Sequence, residues 1–161
     1  MKPLLLLDVD GPLNPYRAED PAGYELHKLA PGGFTFDVWL NKDHGPRLIE
    51  FADAWGMELV WATMWEHDAN TMIAPVIGLP WLPVIEWYDR PGSWKFGPVL
   101  EYAGDRPLAW FDDDFFRFPK GEAWFRQERD DRPTLLHEVD PAIGLRESDL
   151  TAVAEWMAGG A

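Results

Sequence analysis

Two carboxylates, Asp8 and Asp10, stand directly after a run of four leucines, Leu4–Leu7, and before a glycine, Gly11. An uninterrupted apolar run of this kind is typical of a strand buried in a parallel sheet, where chemistry gathers at the carboxyl ends of the strands. Two acids at that end repel each other unless a cation lies between them. The motif therefore predicts a site for a divalent metal ion, and it offers a carboxylate as a nucleophile.

Three further polar groups lie next to predicted strands or helices. Thr63 and the triplet Asp112-Asp113-Asp114 each follow another apolar run, and Lys95 falls in the first turn of a predicted helix. Taken singly, each group has an ordinary structural use, because threonine and aspartate cap helices and form turns, and most lysines lie on the surface. Their meaning depends on whether the fold brings them together.

The rest of the sequence alternates between strand-like and helix-like segments. Short apolar runs predict five strands, at 3–9, 57–62, 81–87, 107–111 and 134–139. Apolar spacing and capping residues predict helices at 46–55, 68–77, 93–104 and 121–129, and a terminal helix that Ser148 and Asp149 open. This alternation predicts an α/β fold with helices on both faces of a parallel sheet. Right-handed crossovers then bring the strand ends to one edge, with Asp8, Thr63, Glu86 and Asp112 along it.

Residues 12–44 separate the first predicted strand from the first predicted helix. The segment is rich in proline, glycine and aromatic residues, and 34–40 is predicted to form a hairpin strand. It is too short for a domain of its own and begins where the acids lie, so we expect a flap over the active edge of a single domain spanning 1–161.

Composition narrows the classes of function. The 161 residues carry a formal net charge of -14, which disfavours a general nucleic-acid binder but leaves room for a nucleic-acid end docking at a local metal site. The absence of cysteine excludes disulfides, thiolate nucleophiles and cysteine-ligated metals. No apolar stretch approaches the roughly 18 residues of a spanning helix, and the first one is short for a signal peptide. We therefore expect a soluble, cytoplasmic protein without membrane partners; its oligomeric state stays open.

In order and spacing, the polar groups resemble the motifs of the haloacid dehalogenase-like superfamily of aspartyl-phosphate hydrolases. That superfamily has an apolar strand ending in Asp-x-Asp-Gly, a Thr or Ser ending the next strand, a Lys or Arg near a helix start, and an acidic pair ending a later strand. The matching residues are Asp8 and Asp10, Thr63, Lys95, and Asp112 with Asp113. The resemblance runs from residue 2 to about residue 114. It implies a Rossmann-like three-layer sandwich with a five-stranded parallel sheet in the order 5-4-1-2-3, and a flap in place of a large cap domain.

The resemblance also implies a Mg²⁺-dependent phosphatase. Asp8 would attack phosphorus and form an aspartyl-phosphate, and Asp10 would serve as general acid and base. Thr63 would donate a hydrogen bond to a phosphoryl oxygen, and Lys95 would neutralise negative charge. The ligands of Mg²⁺ would be the Asp8 carboxylate, the Asp10 backbone carbonyl and an acid of the fourth motif, with Asp113 preferred and Asp112 supporting it.

Two positions depart from the superfamily's pattern, and the substrate stays open. Pro12 follows the glycine, which affects the shape of the loop, and Met64 follows Thr63 where it could crowd a phosphate. A small flap leaves the site exposed, so the phosphorylated substrate could be a metabolite, a phosphoprotein or a polynucleotide end. Two alternatives to a phosphatase of small esters are therefore a repair-type polynucleotide-end phosphatase and a catalytically weak binding module.

Outside the motifs, the remaining candidates are weaker. The four histidines do not have the spacing of a zinc site. His67, four residues after Thr63, could touch a substrate. The end of the third predicted strand could form a substrate rim or simply pack in the core. The residues concerned are His27, His44, His67 and His137, and Glu86, Trp87 and Tyr88.

Overall fold

A computed structural model describes residues 1–87 and 94–161 of the protein. The strands are β1 (Leu4–Leu7), β2 (Glu25–Leu29), β3 (Phe36–Leu40), β4 (Glu58–Trp61), β5 (Leu108–Asp112) and β6 (Thr134–Glu138). The α-helices are α1 (His44–Trp55), α2 (Ala74–Ile77), α3 (Phe96–Ala103), α4 (Pro119–Arg129) and α5 (Glu147–Ala158). Short turns of 3₁₀ or π-helix lie at Pro31–Gly33, Ala69–Ile73 and Phe115–Arg117.

A parallel four-stranded sheet, in the order β4-β1-β5-β6, forms the centre of the fold. Strand β1 lies between two neighbours, and all four of its leucines are buried because helices cover both faces. Leu5 and Leu7 belong to the core that α1, α2 and α5 complete, whereas Leu4 and Leu6 belong to the core on the other face, beneath α3 and α4. The predicted α/β class with a helix-flanked parallel sheet is confirmed.

The predicted five-stranded sheet in the order 5-4-1-2-3 is wrong, because residues 81–87 do not form a strand. Only an isolated parallel bridge joins Val84 to Trp61, with hydrogen bonds from Trp61 N to Pro83 O (2.9 Å) and from Ile85 N to Trp61 O (2.9 Å). Pro80 and Pro83 have no backbone N–H, so this apolar run cannot form a regular hydrogen-bonded ladder. The sheet therefore has four strands.

The helices lie close to the predicted positions but differ at their ends. Helix α1 begins at His44 rather than at residue 46, and α4 begins at Pro119 rather than at residue 121, since proline is accepted in the first turn of a helix. The predicted helix at 68–77 is a π-helical turn that passes into the short α2, where Pro75 removes one backbone donor. The predicted N-cap Ser93 lies outside the described residues, and α3 itself begins at Phe96.

Residues 12–44 contain an antiparallel hairpin formed by β2 and β3. Val38 and Leu40 in β3 are buried against the body of the protein, whereas the opposite face of the hairpin is exposed. Two hydrogen bonds connect the hairpin segment to its surroundings: Trp39 N donates to Asn14 Oδ1 in the loop after β1 (2.9 Å), and Gly32 N donates to Asp68 Oδ2 just before the π-helical turn (3.2 Å). Within the described ranges, none of the helices has both the length and the apolarity needed to cross a membrane.

Candidate functional site

A buried lysine joins the ends of two adjacent strands. Asp8 follows β1, Asp112 ends β5, and Lys95 immediately precedes α3. The Lys95 Nζ atom lies 2.9 Å from Asp8 Oδ2 and 2.6 Å from Asp112 Oδ2. All three residues are buried, so the ion pairs are shielded from water. The structure therefore brings these three side chains together.

The electrostatics of the three groups follow from their burial. Burial raises the pKa of Asp112 well above its ordinary value, and the nearby Asp8 carboxylate raises it further, against the opposing effect of Lys95. Burial also raises the pKa of Asp8, again partly opposed by Lys95. Burial alone would lower the pKa of Lys95, but the two carboxylates outweigh it and raise that pKa above its usual value. A single lysine thus does not fully compensate the acids around it.

Asp113 adds a third acid to this cluster. Carboxylate oxygens of Asp8, Asp112 and Asp113 all lie within 4.8 Å of one another, close enough to share a cation. Burial raises the pKa of Asp113 to about 6, although the Tyr16 hydroxyl, which donates to Asp113 Oδ2 at 2.7 Å, favours the charged form. Three hard oxygen donors with one lysine between two of them suit a divalent cation of the Mg²⁺ or Ca²⁺ type, but they do not distinguish between these ions.

Gly11 allows Asp113 to approach the loop after β1. Its φ angle is +97°, which L side chains rarely adopt, and an added Cβ would lie 2.6 Å from both Cβ and Cγ of Asp113. The glycine is therefore needed both for the turn of the backbone and for the space that Asp113 occupies.

Asp10 lies in a different environment from Asp8. It is only partly buried, and two neutral donors hold its carboxylate: Asn14 Nδ2 donates to Oδ1 (2.8 Å) and Trp65 Nε1 donates to Oδ2 (3.0 Å). Its side chain is not part of the three-acid cluster, so any contribution of Asp10 to metal binding would fall to its backbone carbonyl. Held in this way, the carboxylate has a fixed orientation and remains open to the cavity.

Thr63 lies behind the wall of the site. It is fully buried, its hydroxyl accepts a hydrogen bond from Trp65 N (3.3 Å), and the same hydroxyl stabilises the charged form of Asp8. Its backbone carbonyl accepts a hydrogen bond from Trp87 Nε1 (2.7 Å). Met64, by contrast, is 68% exposed and lines the cavity next to the acids.

A cavity of about 770 Å³ opens over the acids, between the sheet edge and the flap. Asp8, Asp10, Lys95 and Asp113 line it from the body of the protein. The flap contributes an apolar wall that includes Phe34 and Phe36. The volume is within the range of small-molecule sites.

The weaker candidates lie away from the acids or have partners of their own. His67 pairs with Glu86 (2.8 Å) at the surface and His137 pairs with Asp149 (2.8 Å), while His44 is buried against Tyr24. Burial lowers the pKa of His44 to about 4. Tyr88 lies outside the described residues. Among the described candidates, none lines the cavity with the acids.

Four residues that contact the predicted acids or Lys95 were not predicted from the sequence. Asn14 and Tyr16 lie in the loop that opens the flap, and Trp65 donates to Asp10. Trp94 stacks on Trp110 and Phe118 with its ring centroid 5.1 Å from Lys95 Nζ. Only the position of Asn14, four residues after Asp10, offered a signal, because asparagine is a common hydrogen-bonding residue in turns.

Comparisons of the chain with protein-family models, with curated proteins and with solved structures found no match. The function must therefore be argued from the site itself.

Proposed function

We propose that the protein is a Mg²⁺-dependent phosphatase of the haloacid dehalogenase-like type, with a Rossmann-like fold, that hydrolyses phosphomonoesters through Asp8. The observation that carries the proposal is the contact of Lys95 with Asp8 and Asp112, beside Asp113 and beneath an open cavity. A structural ion pair requires neither a third buried acid nor access from a cavity. A metal-dependent phosphoryl-transfer site uses both, because the acids hold the cation and the cavity admits the substrate.

Each residue has a role that follows from its environment. Asp8, kept in place by Lys95, attacks the phosphorus atom, and the bond between phosphorus and the ester oxygen breaks. Asp10 gives a proton to the departing oxygen, and then takes a proton from the water that attacks the aspartyl-phosphate and releases phosphate. Lys95 neutralises negative charge that builds up around Asp8.

Asp113 and Asp8 are the carboxylates proposed to hold Mg²⁺, together with the backbone carbonyl of Asp10. Asp112 supports the site by fixing Lys95, because its Oδ2 is already bound to Nζ and its Oδ1 accepts from Asp114 N (3.1 Å). When bound, Mg²⁺ would offset the charge of the acids and polarise the phosphoryl group. Thr63 is proposed to act indirectly, by supporting Asp8 and the backbone at Trp65.

The test is hydrolysis of 4-nitrophenyl phosphate with Mg²⁺, compared between the wild type and Asp8→Asn. Asp53→Asn, which makes the same chemical change at an exposed helical position, is the matched control. We expect activity that EDTA removes, that Asp8→Asn loses, and that Asp53→Asn retains. Equal release of nitrophenol by the wild type and Asp8→Asn would reject the proposal and favour a binding module.

A further inference from the structure

The outer part of the cavity is apolar. Phe34 and Phe36 of the flap and Met64 of the body line it, with 73%, 51% and 68% of their surfaces exposed. Three large apolar side chains left exposed around one cavity would gain from being covered by an apolar group. Because Asp8 and Lys95 lie at the inner end of the same cavity, such a group would be the part of the substrate beyond the phosphate.

The outer part of the cavity is also negatively charged. Among the described lining residues there are seven acids and one cation, Lys95. Two of the acids, Asp37 and Asp114, have cationic partners in Lys28 and Arg117. Asp8, Asp10 and Asp113 belong to the inner site, which leaves Glu66 and Asp68 in the outer part.

Glu66 and Asp68 are in ion pairs with none of the basic residues in the described part of the chain. Their carboxylates instead accept backbone hydrogen bonds, from Trp87 N (2.9 Å) to Glu66 and from Gly32 N (3.2 Å) to Asp68. A single N–H group does not neutralise a carboxylate. These two residues therefore place negative charge beside the apolar wall.

We infer that the substrate is a phosphomonoester whose leaving group is apolar, preferably aromatic, and carries no negative charge. The inference rests on the proposed function, and it names the substrate class of that site. An aromatic ring would cover the exposed surfaces of Phe34 and Phe36, whereas a carboxylate or a second phosphate would face Glu66 and Asp68. A polynucleotide end carries a phosphate at every step, and it would also meet a chain of net charge -14.

The first experiment compares phenyl phosphate with 4-carboxyphenyl phosphate, which differ by one negative charge at the far end of the ring. The carboxyl-substituted phenol is the better leaving group, so intrinsic reactivity works against the expected preference. We expect kcat/KM to be roughly tenfold higher for phenyl phosphate at low ionic strength, and the ratio to shrink in high salt. A 5′-phosphorylated oligonucleotide should be a poorer substrate than either.

The second experiment assigns the preference to Glu66 and Asp68. The double variant Glu66→Gln/Asp68→Asn keeps a carbonyl acceptor for each backbone N–H and removes only the charges. It should bring the ratio of the two kcat/KM values close to one. The matched control Glu155→Gln/Asp53→Asn changes the same two residue types on exposed helical surfaces away from the cavity, and it should keep the wild-type ratio.

The third experiment tests the apolar wall. The double variant Phe34→Ser/Phe36→Ser should raise KM for phenyl phosphate by roughly 3- to 10-fold, because an aromatic pair contributes about 0.5–1.5 kcal/mol. KM for acetyl phosphate, whose acyl group is too small to reach the wall, should change little. An equal rise for both substrates would overturn the role of the wall.

The failure of this inference can be distinguished from the failure of the proposed function. Equal or faster hydrolysis of 4-carboxyphenyl phosphate or of the oligonucleotide would overturn the inference while the phosphatase remains. If the folded wild type hydrolyses none of these esters in Mg²⁺, both are overturned.

Discussion

Replacing Asp113 with asparagine should stabilise the metal-free protein at neutral pH while it removes metal binding. Asp113 is 4% exposed and lies beside Asp8 and Asp112, and burial raises its pKa from 3.8 to about 6. Asparagine has the same shape without the charge, and its carbonyl oxygen can still accept the hydrogen bond from Tyr16.

The magnitude and sign follow from linkage between proton binding and folding. Because the pKa is higher in the folded protein, the folded state binds more protons than the unfolded state between pH 3.8 and about 6. The free energy of unfolding therefore falls as the pH rises through this window, and the loss is complete above it. A rise from 3.8 to about 6 corresponds to about 3 kcal/mol, since one pKa unit is worth about 1.4 kcal/mol. Water in the adjoining cavity screens the charge, so we expect a gain of about 1–3 kcal/mol.

The assay is urea unfolding in EDTA at about pH 7 and about pH 4, for the wild type, Asp113→Asn and the exposed control Asp53→Asn. Asp113→Asn should be more stable than the wild type at the higher pH, and the two should converge at the lower pH. Added Mg²⁺ should stabilise the wild type and Asp53→Asn but have much less effect on Asp113→Asn. If Asp113→Asn is less stable than the wild type in EDTA at about pH 7, the claim that the charge of Asp113 destabilises the metal-free protein is refuted.

Three further substitutions test the packing and charges of the fold. Lys95→Met should lower the free energy of unfolding by about 3–5 kcal/mol at neutral pH, because two buried carboxylates lose their cation. The decrease should be smaller in acid, where the carboxylates are protonated. The control in the same urea titration is Lys120→Met, at an exposed site. Gly11→Ala should weaken Mg²⁺-induced stabilisation in thermal unfolding, because its Cβ would displace Asp113, and unchanged stabilisation would contradict this. The pKa of His44 is lowered from 6.5 to about 4, so the unfolded state binds a proton before the folded state does as the pH falls. The free energy of unfolding of the wild type should therefore fall by about 2 kcal/mol between about pH 7 and about pH 5, and that of His44→Gln should not show this fall. Parallel pH dependence of the two urea midpoints would show that His44 is not held neutral.

The position of β1 at the centre of the sheet could be predicted from the sequence because the run Leu4–Leu7 is apolar throughout. Within a strand, four consecutive leucines can all be buried only when the strand has neighbours on both edges and cover on both faces, which is the position of β1. Once β1 is central and its neighbours run parallel to it, Asp8 and Asp112 must end up side by side. The position of Lys95 at the start of α3 then brings its side chain to the same edge.

The edge of the sheet could not be predicted in the same way. Residues 81–87 have the apolar character of a strand, but hydrogen bonding rather than hydrophobicity decides whether a strand forms, and the prolines at 80 and 83 remove two donors. The segment at 68–77 was predicted to be a helix, and at Ala69–Ile73 it is a π-helical turn in which Ala69 and Ile73 are buried. Apolar patterns therefore identified which residues are buried, but not the hydrogen bonds that their backbones make.

The contact of Asp10 with Trp65 was beyond sequence reasoning because it joins segments that are distant in the chain. Trp65 lies 55 residues after Asp10, and nothing in its local sequence distinguishes it from the other nine tryptophans. A buried indole N–H usually finds a hydrogen-bond partner, and only the packed structure shows that for Trp65 this partner is a carboxylate.

The two aspartates of the opening motif differ in what holds them, and this difference connects the flap to the proposed chemistry. The ammonium group of Lys95 is paired with Asp8, whereas the side chains of Asn14 and Trp65 donate neutral hydrogen bonds to Asp10 and add no positive charge beside it. Asn14 uses its other end to accept the backbone N–H of Trp39 in the flap hairpin. A shift of the hairpin would therefore move the amide that orients Asp10, while the ion pair of Asp8 lies on the sheet and would stay in place. The hairpin thus acts on the residue proposed to move protons rather than on the one proposed to form the covalent bond, so substitutions that loosen the hairpin should slow turnover more than they weaken metal binding.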